Sequence, residues 1–155
     1  RTRIGMVIGD QGFGNPDPRE RGWRLALAAA GLEPSTSVVV PFTREGGYAS
    51  AAALLAADPA LDAVFASSDL QALGLVRALH ERGIRIPEDL AVVSYDGTKD
   101  SEFCWPPLTV ARQNLPALAS AALDLLAADT PPRGTHIDVP TELVRRASCG
   151  CPTSS

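Results

Sequence analysis

The sequence contains few lysines, few aromatic residues and no long apolar run. Lys99 is its single lysine, and aromatic residues make up 5% of the 155 residues. No apolar stretch approaches the roughly 20 residues of a membrane helix, and the first one ends at Gly9 and Asp10, too early for a secretory signal. The net charge of −4 does not attract a polyanion. We therefore expect a cytoplasmic chain that contacts neither a membrane nor nucleic acid directly.

Cysteine is also scarce, which bears on disulfides and metal sites. The three cysteines, Cys104, Cys149 and Cys151, are an odd number, whereas a disulfide framework favours an even count. The last two lie in a segment rich in Gly, Pro, Ser and Thr, with no second pair or nearby histidine to complete a zinc site. We expect residues 149–155 to be a disordered tail with incidental thiols, and we predict no metal and no cofactor.

Strand and helix signals alternate regularly along the chain. Apolar and β-branched runs predict strands at residues 3–9, 37–41, 63–67, 90–95 and 108–113, with two short ones at 135–139 and 142–146. Capping residues and helical spacing predict helices at 17–31, 43–58, 68–82 and 114–129, the third capped by Ser68 or Asp69. This alternation is typical of an α/β protein with a mostly parallel open sheet and helices on both faces.

The last of these helices is apolar on nearly every side. Only Ser120 and Asp124 interrupt its apolar surface before Asp129. Such a helix should be buried on nearly every side. We expect it either to pack back on its own sheet or to bury that surface against a second copy.

Polar side chains collect where the predicted strands end. The carboxyl ends of parallel strands share one edge of the sheet, and ligands bind in the crevice beyond it. The residues expected there are 10–15, Arg19, Phe42, Ser67, Ser68, Asp69, Asp96, Arg112 and Gln113. A guanidinium, carboxylates, amides, hydroxyls and one aromatic ring favour a small polar ligand with many hydroxyl or amide groups.

Nucleotide-binding and catalytic patterns fit the sequence poorly. Gly12 and Gly14 follow the first strand as in a dinucleotide-binding loop, but Asp17 stands where the third glycine belongs. Asp96 ends a strand as in a phosphate-accepting receiver domain, yet further acidic partners and a strand lysine are missing. No Gly-x-Ser-x-Gly elbow presents a nucleophile, and Ser68 is better explained as a helix cap. We predict that the chain is not an enzyme.

Five segments carry more specific motifs. They are RERGW at 19–23, AVFASSDLQALG at 63–74, GIRIPEDLAVVSYD at 83–96, PPLTVARQ at 106–113 and PTELVRRAS at 140–148. Together, and in this order, they resemble the effector-binding domain of the lactose-repressor (LacI/GalR) family of bacterial transcription regulators. The resemblance runs from residue 3 to 148.

This resemblance implies the C-terminal half of a periplasmic-binding-protein-like type I fold. Residues 1–113 would form the effector-binding subdomain, 114–134 a crossover helix that belongs to the missing partner subdomain, and 135–148 the return strands. A helix-turn-helix would lie on the N-terminal side, so DNA would be bound only through that missing part. The parent protein is expected to be a homodimer.

The resemblance also implies an effector site formed by six residues: Arg19, Asp96, Phe42, Ser68, Gln113 and Asn15. Arg19 and Asp96 would hold effector groups, and Phe42 would form an aromatic wall. Gln113 would lie at the crossing to the other half, and Asn15 would add a polar contact. Ser68 replaces the asparagine usual in the family, and a hydroxyl cannot donate and accept as an amide does.

We therefore expect a sensor that binds a small polar effector, a sugar in the first instance, and transmits binding through subdomain closure. A solute-binding protein of a sugar transporter is the alternative among binding proteins. A small α/β hydrolase or isomerase is the alternative among enzymes, although no nucleophile–base pair can be assembled. The residues upstream of Arg1 would separate a regulator from a transport receptor.

Overall fold

One open sheet of six strands organises the described part of the chain. The computed structural model describes residues 1–12, 17–128, 134 and 136–152. Its strands are β1 (Ile4–Gly9), β2 (Ser37–Val40), β3 (Ala63–Ala66), β4 (Ala91–Asp96), β5 (Thr109–Arg112) and β6 (Glu142–Val144). Their order across the sheet is β2-β1-β3-β4-β5-β6, and only β6 is antiparallel to its neighbour among these. The predicted α/β class with a mostly parallel open sheet is confirmed.

The longer helices begin where the capping residues predict. The helices are α1 (Pro18–Ala29), α2 (Arg44–Ala57), α3 (Asp69–Glu81), the short α4 (Asp100–Phe103) and α5 (Leu115–Ala127). Asp17, Thr43, Ser68 and Asn114 each accept a hydrogen bond from a first-turn backbone amide. Of the two candidates for α3, Ser68 is the cap. The short α4 has no side-chain cap and is not predicted from the sequence.

Helices cover both faces of the sheet. Successive side chains of β1 point to opposite faces, so each face carries apolar side chains that a helix covers. Met6 and Ile8 pack with Trp23 of α1 in one buried cluster. Val7 belongs to a larger cluster on the other face, under α2 and α3. This larger cluster also includes Leu54, Val64, Leu75, Leu79, Val92, Leu108 and Val110. A buried side chain of this size contributes about 1.5–3 kcal/mol, so the face under α2 and α3 carries the larger share of the hydrophobic stabilisation.

Two glycines let α2 and α3 approach each other at backbone distance. A Cβ added to Gly47 would lie 1.9 Å from the carbonyl oxygen of Gln71. A Cβ added to Gly74 would lie 1.9 Å from the carbonyl oxygen of Arg44. The side-chain amide of Gln71 donates to the carbonyl oxygens of Val40 and Pro41, both at 3.2 Å. The close helix contact therefore holds the end of β2 against the start of α3.

The apolar helix α5 is not covered by any described part of the chain. None of its residues is buried, and Leu115, Leu118, Leu123 and Leu126 expose 63%, 40%, 65% and 82% of their surface. Of the two alternatives for this helix, packing back on its own sheet is therefore not what the structure shows, and burial against a second copy stays a prediction. Among the described residues, no helix combines the length and the apolar character needed to cross a membrane.

The C-terminal return to the sheet is shorter than predicted. β6 covers three residues rather than 142–146, and residues 136–140 form no strand, while residue 135 lies outside the described residues. The reason is that Glu142–Val144 already pairs with the last three residues of the short β5. Cys149, where a tail was expected to begin, closes a 3-10 turn (Ala147–Cys149) in which Ser148 is buried. Residues 153–155 of the expected tail lie outside the described residues.

The close contact between α2 and α3 predicts that a glycine-to-alanine substitution destabilises the chain in α2 but not in α1. Gly47→Ala should destabilise the chain by about 1–3 kcal/mol, because the new methyl group must displace backbone of α3. Gly22→Ala in α1 is the matched control, since nothing lies within 4 Å of its added Cβ. That control should leave stability unchanged or raise it by up to about 1 kcal/mol. Urea unfolding of both variants measures the difference, and equal midpoints would contradict the close contact.

Candidate functional site

Arg19 lies between two aromatic rings at the carboxyl edge of the sheet. Its guanidinium carbon is 4.7 Å from the centre of the Tyr95 ring and 5.5 Å from that of Phe42. Tyr95 is near the end of β4, and Phe42 follows β2. A cation over an aromatic face is attracted by the ring quadrupole within about 6 Å. The two rings thus fix the direction in which Arg19 reaches into the crevice.

A buried carboxylate holds the other side of Arg19. Oδ1 of Asp17 is 3.1 Å from Nη1 of Arg19, and Oδ2 accepts a hydrogen bond of 2.7 Å from the Ser67 hydroxyl. Burial raises the pKa of Asp17, but hydrogen bonds from Ser67 and from Arg19 outweigh that effect and bring it below its usual range. Asp17 therefore stays ionised and keeps Arg19 in place.

The anchored guanidinium keeps free hydrogen-bonding capacity. About a quarter of the Arg19 side chain, 26%, remains exposed. Its Nε is buried and finds no acceptor among the described residues. Arginine carries five N–H donors in a planar fork. Arg19 is thus held firmly while part of its side chain stays exposed at the carboxyl edge.

Asp96 is the second charged group of the site, and Gln113 is attached to it. Nε2 of Gln113 donates to Oδ1 of Asp96 at 2.8 Å, and its backbone amide donates to the Asp96 carbonyl at 3.0 Å. The amide of Asp69 donates to Oδ2 at 3.3 Å. Burial raises the pKa of Asp96 above its usual value, a change that the Gln113 hydrogen bond opposes and the nearby Asp69 charge increases. The backbone of Asp96 has a positive φ of 119°, so this residue also turns the chain out of β4.

Asp69 supports this edge from beneath and is fully buried. Its carboxylate accepts hydrogen bonds from the Ser94 hydroxyl at 2.5 Å, the Thr98 amide at 2.6 Å and the Thr98 hydroxyl at 2.8 Å. Thr98 lies in the loop that follows Asp96, so Asp69 fixes the position of that loop. Ser94, in the middle of β4, thus ties the same carboxylate to the sheet.

The structure gives the remaining predicted site residues different positions. The Phe42 ring lies directly on Gly9, where an added Cβ would fall 1.8 Å from a ring carbon. Ser68 is buried, and its hydroxyl accepts from the Gln71 amide at 3.2 Å and contacts the Gln71 side-chain oxygen at 3.3 Å. Its hydroxyl is therefore occupied by the helix cap. Asn15 lies outside the described residues.

Sequence reasoning missed Tyr95 and the anchoring role of Asp17. Asp17 was recognised as a cap, which it is, but its contact with Ser67 joins residues 50 positions apart and leaves no local signal. Tyr95 adjoins Asp96 in the motif at 83–96, and strand alternation sends its ring to the face covered by α1. That alternation was the available signal for its contact with Arg19.

A second groove lies at the opposite edge of the sheet. It encloses about 640 Å³ and is lined by His80, the segment 83–88, Trp105, Pro106, Pro107 and Ala147. The groove beside Gln113 at the carboxyl edge is smaller, about 480 Å³. Arg19, Asp96 and Gln113 converge at the carboxyl edge, and none of the three lines the groove at the opposite edge.

The carboxyl edge is suited to binding rather than to chemistry. A guanidinium, a carboxylate and an amide can each bond to hydroxyl groups, and the rings offer an apolar face to a sugar ring. The hydroxyls of Ser67 and Ser68 already bond to Asp17 and to the cap of α3. Within the described ranges, no group of three or more His, Cys, Asp or Glu side chains is arranged to hold a metal ion.

Comparison with known proteins gives one consistent result. The family description "Periplasmic binding protein-like domain" matches residues 1–149. The HTH-type transcriptional regulator CelR of Thermobifida fusca is 42% identical over 113 residues, which cover 72% of this chain and 33% of that protein.

Solved structures of similar fold agree. A LacI-family transcriptional regulator from Arthrobacter sp. FB24 in complex with lactose superimposes with a TM-score of 0.84 at 28% identity, covering 96% of this chain and 57% of that one. The lac repressor dimer bound to operator and an anti-inducer gives a TM-score of 0.87 at 26% identity, covering 96% and 52%. The chain thus spans between a third and just over half of the length of these proteins.

The raised pKa of Asp96 predicts that the negative charge of this side chain lowers the free energy of unfolding. The folded chain holds this proton more tightly than the unfolded chain, whose carboxyl has the ordinary value of 3.8. The charged form therefore destabilises the fold as pH rises through the raised pKa, and this cost is absent below about pH 3.8. Asp96→Asn should accordingly unfold at a higher temperature than the wild-type chain at pH 7, with the gain disappearing in acid.

Asp89 is the matched control for this variant. Arg85 lowers the pKa of Asp89 to about 2, mainly through a side-chain hydrogen bond. Its charge is stabilising above the ordinary carboxyl pKa, and that contribution is lost as pH falls toward 2. Asp89→Asn should therefore unfold at a lower temperature at pH 7. Thermal unfolding of both variants from pH 3 to 8 compares them, and shifts of the same sign would refute the assignment for Asp96.

Proposed function

The chain belongs to the periplasmic-binding-protein-like family of LacI-type transcriptional regulators, and we propose that it is one half of the effector-sensing unit of such a regulator. The observation that carries this proposal is the anchored Arg19, held by Asp17 between Phe42 and Tyr95. It shares the carboxyl edge with Asp96 and Gln113. An enzyme is disfavoured because the hydroxyls of Ser67 and Ser68 are already engaged, the first by Asp17, which also pairs with Arg19, and the second by the cap of α3.

The effector proposed for this edge is a sugar, with a disaccharide as the first candidate. Asp96 accepts and Arg19 donates hydrogen bonds, so the pair matches sugar hydroxyls, which do both. Phe42 and Tyr95 supply apolar faces for a sugar ring. The similar Arthrobacter regulator was solved with lactose, which supports a ligand of this class.

The other wall of the site is proposed to lie in a preceding segment of a longer protein. The chain spans only 33% of CelR, and α5 presents an apolar surface that no described part of the chain covers. We propose that residues 114–134 pack against that other half, and that a helix-turn-helix further upstream binds DNA in the cytoplasm. Effector binding would close the two halves and change operator affinity, the two affinities being linked reciprocally.

The protein as a whole is proposed to act as a homodimer. Two large apolar side chains outside the carboxyl edge, Phe103 and Trp105, expose 85% and 80% of their surface. The lac repressor, which has a similar fold, was solved as a dimer on its operator. A two-fold symmetric protein matches the two half-sites of a palindromic operator.

Two conservative substitutions test the effector site in the longer protein. Arg19→Lys keeps a positive charge beside Asp17 but loses the planar fork and its stacking. Asp96→Asn keeps the shape but loses the negative acceptor. Each should weaken disaccharide binding by about 2–5 kcal/mol, roughly 30-fold or more, as measured by calorimetry with lactose, maltose and cellobiose.

Arg24→Lys is the control, since Arg24 is in the same helix and pairs with Glu20 at 2.7 Å on an exposed surface. It should bind like the wild-type protein. If Arg19→Lys and Asp96→Asn also bind with wild-type affinity, the carboxyl edge is not the effector site.

The isolated 155-residue chain should self-associate through α5. Burying the exposed leucines of this helix against a second copy removes apolar surface from water, at about 25 cal/mol per Å². Leu123→Gln combined with Leu126→Gln should abolish association in light scattering near 100 μM, without loss of thermal stability because both side chains are exposed. Leu25→Gln, at another exposed leucine (59%), is the control. A strictly monomeric wild-type chain would contradict the uncovered surface of α5.

A further inference from the structure

Two cysteines face each other just after the last strand. Cys149 is the final residue of the 3-10 turn, and Gly150 adopts a left-handed conformation with φ of 68° that reverses the chain. The Cys151 amide then donates to the sulfur of Cys149 at 3.1 Å. The Cys151 thiol in turn donates to the carbonyl oxygen of Cys149 at 3.9 Å. The two cysteines are therefore in mutual contact rather than independent groups in a terminal tail.

The turn that presents them is fixed to the sheet. Ser148 is fully buried, and its hydroxyl donates to the carbonyl of Val92 in β4 at 2.5 Å. The same hydroxyl accepts from the amide of Thr109 at 2.8 Å, and the Ser148 amide donates to the carbonyl of Pro107 at 3.1 Å. These bonds tie the turn to the starts of β4 and β5. Cys149 is consequently held in a defined position at the amino edge.

The pKa values of the two thiols are shifted in opposite directions. Burial raises the pKa of Cys149, but hydrogen bonds from the Cys151 side chain, the Thr109 side chain and the Cys151 amide outweigh it and lower the pKa overall. The pKa of Cys151 is raised, chiefly by its hydrogen bond to Cys149. Cys149 is thus the more acidic thiol of the two, and the thiolate is the nucleophile in thiol chemistry. The exposed Cys151, whose amide contacts the Cys149 sulfur, is placed to resolve a mixed disulfide there.

Cys104 offers an internal comparison. Its thiol donates to the carbonyl of Ser101 at 3.5 Å and to that of Pro106 at 3.3 Å. Burial raises the pKa of Cys104. It has neither the stabilised thiolate nor the neighbouring sulfur of the pair.

We propose that Cys149 and Cys151 form a reversible dithiol–disulfide site that reacts with small disulfides of the glutathione type. The Cys149 thiolate attacks one sulfur of the small disulfide, forming a mixed disulfide and releasing one thiolate. The Cys151 sulfur then attacks the Cys149 sulfur, the second small thiolate leaves, and the Cys151 proton passes to solvent. The protein loses two electrons and two thiol protons, and one small disulfide is reduced to two thiols.

The site is separate from the effector edge. Thr109 and Val92, to which the turn is tied, lie at the starts of β5 and β4, whereas Asp96 and Gln113 lie at and beyond their ends. Oxidation should therefore change the turn without changing the geometry around Asp96. This proposal does not depend on the identity of the effector.

The test uses the 155-residue chain carrying Cys104→Ser, so that only the pair can react. It is incubated with oxidised glutathione, alkylated with iodoacetamide and weighed intact without reductant. We expect a monomer that has lost two hydrogens and takes up no alkyl groups, and dithiothreitol should restore two alkylation sites. Disulfide-linked dimers, glutathione adducts as the final product, or two remaining alkylation sites would overturn the proposal.

Single variants test the assigned roles. With both thiols present, a sub-stoichiometric amount of iodoacetamide at pH 7 should alkylate Cys149 before Cys151, by roughly threefold for each unit of difference in pKa, as peptide mass mapping measures. Cys151→Ser and Cys149→Ser in the same background then test the resolving step. Both variants should stop at the glutathione adduct, because no second thiol resolves it. Equal alkylation rates, or faster alkylation of Cys151, would refute Cys149 as the nucleophile.

Discussion

The carboxylate of Asp17 is the interaction on which the candidate site depends. It starts helix α1, accepts a hydrogen bond from Ser67 after β3, and holds the guanidinium of Arg19. A buried charge is costly unless it is paired and hydrogen-bonded. Asp17 meets that condition only when α1, β3 and Arg19 are all in place. The helix, the sheet and the ligand-facing arginine are therefore fixed together, and the two rings beside Arg19 are then positioned by their own strands.

Asp96, the second charged group of the site, is also positioned by a buried aspartate, here Asp69. Asp69 is buried and holds the loop after β4 through Thr98, and its backbone amide contacts Asp96. Asp96 in turn is joined to Gln113, the residue through which the chain leaves β5 toward α5. A ligand that bonds to Asp96 would thus touch the point where the chain crosses to the proposed other half. This arrangement gives a physical route from ligand contact to subdomain closure.

Local sequence signals predicted most of the fold and only part of the site. Strand runs, helix caps and the resulting parallel sheet follow from short-range patterns, and Asp17, Thr43 and Asn114 cap the helices as expected. The bond from Ser67 to Asp17 joins residues 50 positions apart and has no local signal. For the stacking of Tyr95 on Arg19, strand alternation indicated only the face of the sheet and not the partner. The strand expected at 135–139 does not form at residues 136–139, because β6 already pairs with the edge of the short strand β5.

The helix α5 shows how far a sequence pattern reaches. Its apolar surface was identified from the sequence, but two ways of covering that surface stayed open, and no described segment of the chain covers it. Sequence periodicity shows that a surface needs a partner and not where that partner is. The family relationship and the partial coverage of the relatives supply the missing information, and they support a second half outside this chain.

The carboxyl edge around Arg19 and Asp96 is proposed to form one wall of an effector site. The decisive experiment is a crystal structure of the longer protein with its best-binding disaccharide. We expect sugar hydroxyls within hydrogen-bond distance of Asp96 and Arg19, with a ring face against Phe42 or Tyr95. A sugar bound in the groove beside Trp105 at the opposite edge, or held without contact to this half, would contradict it.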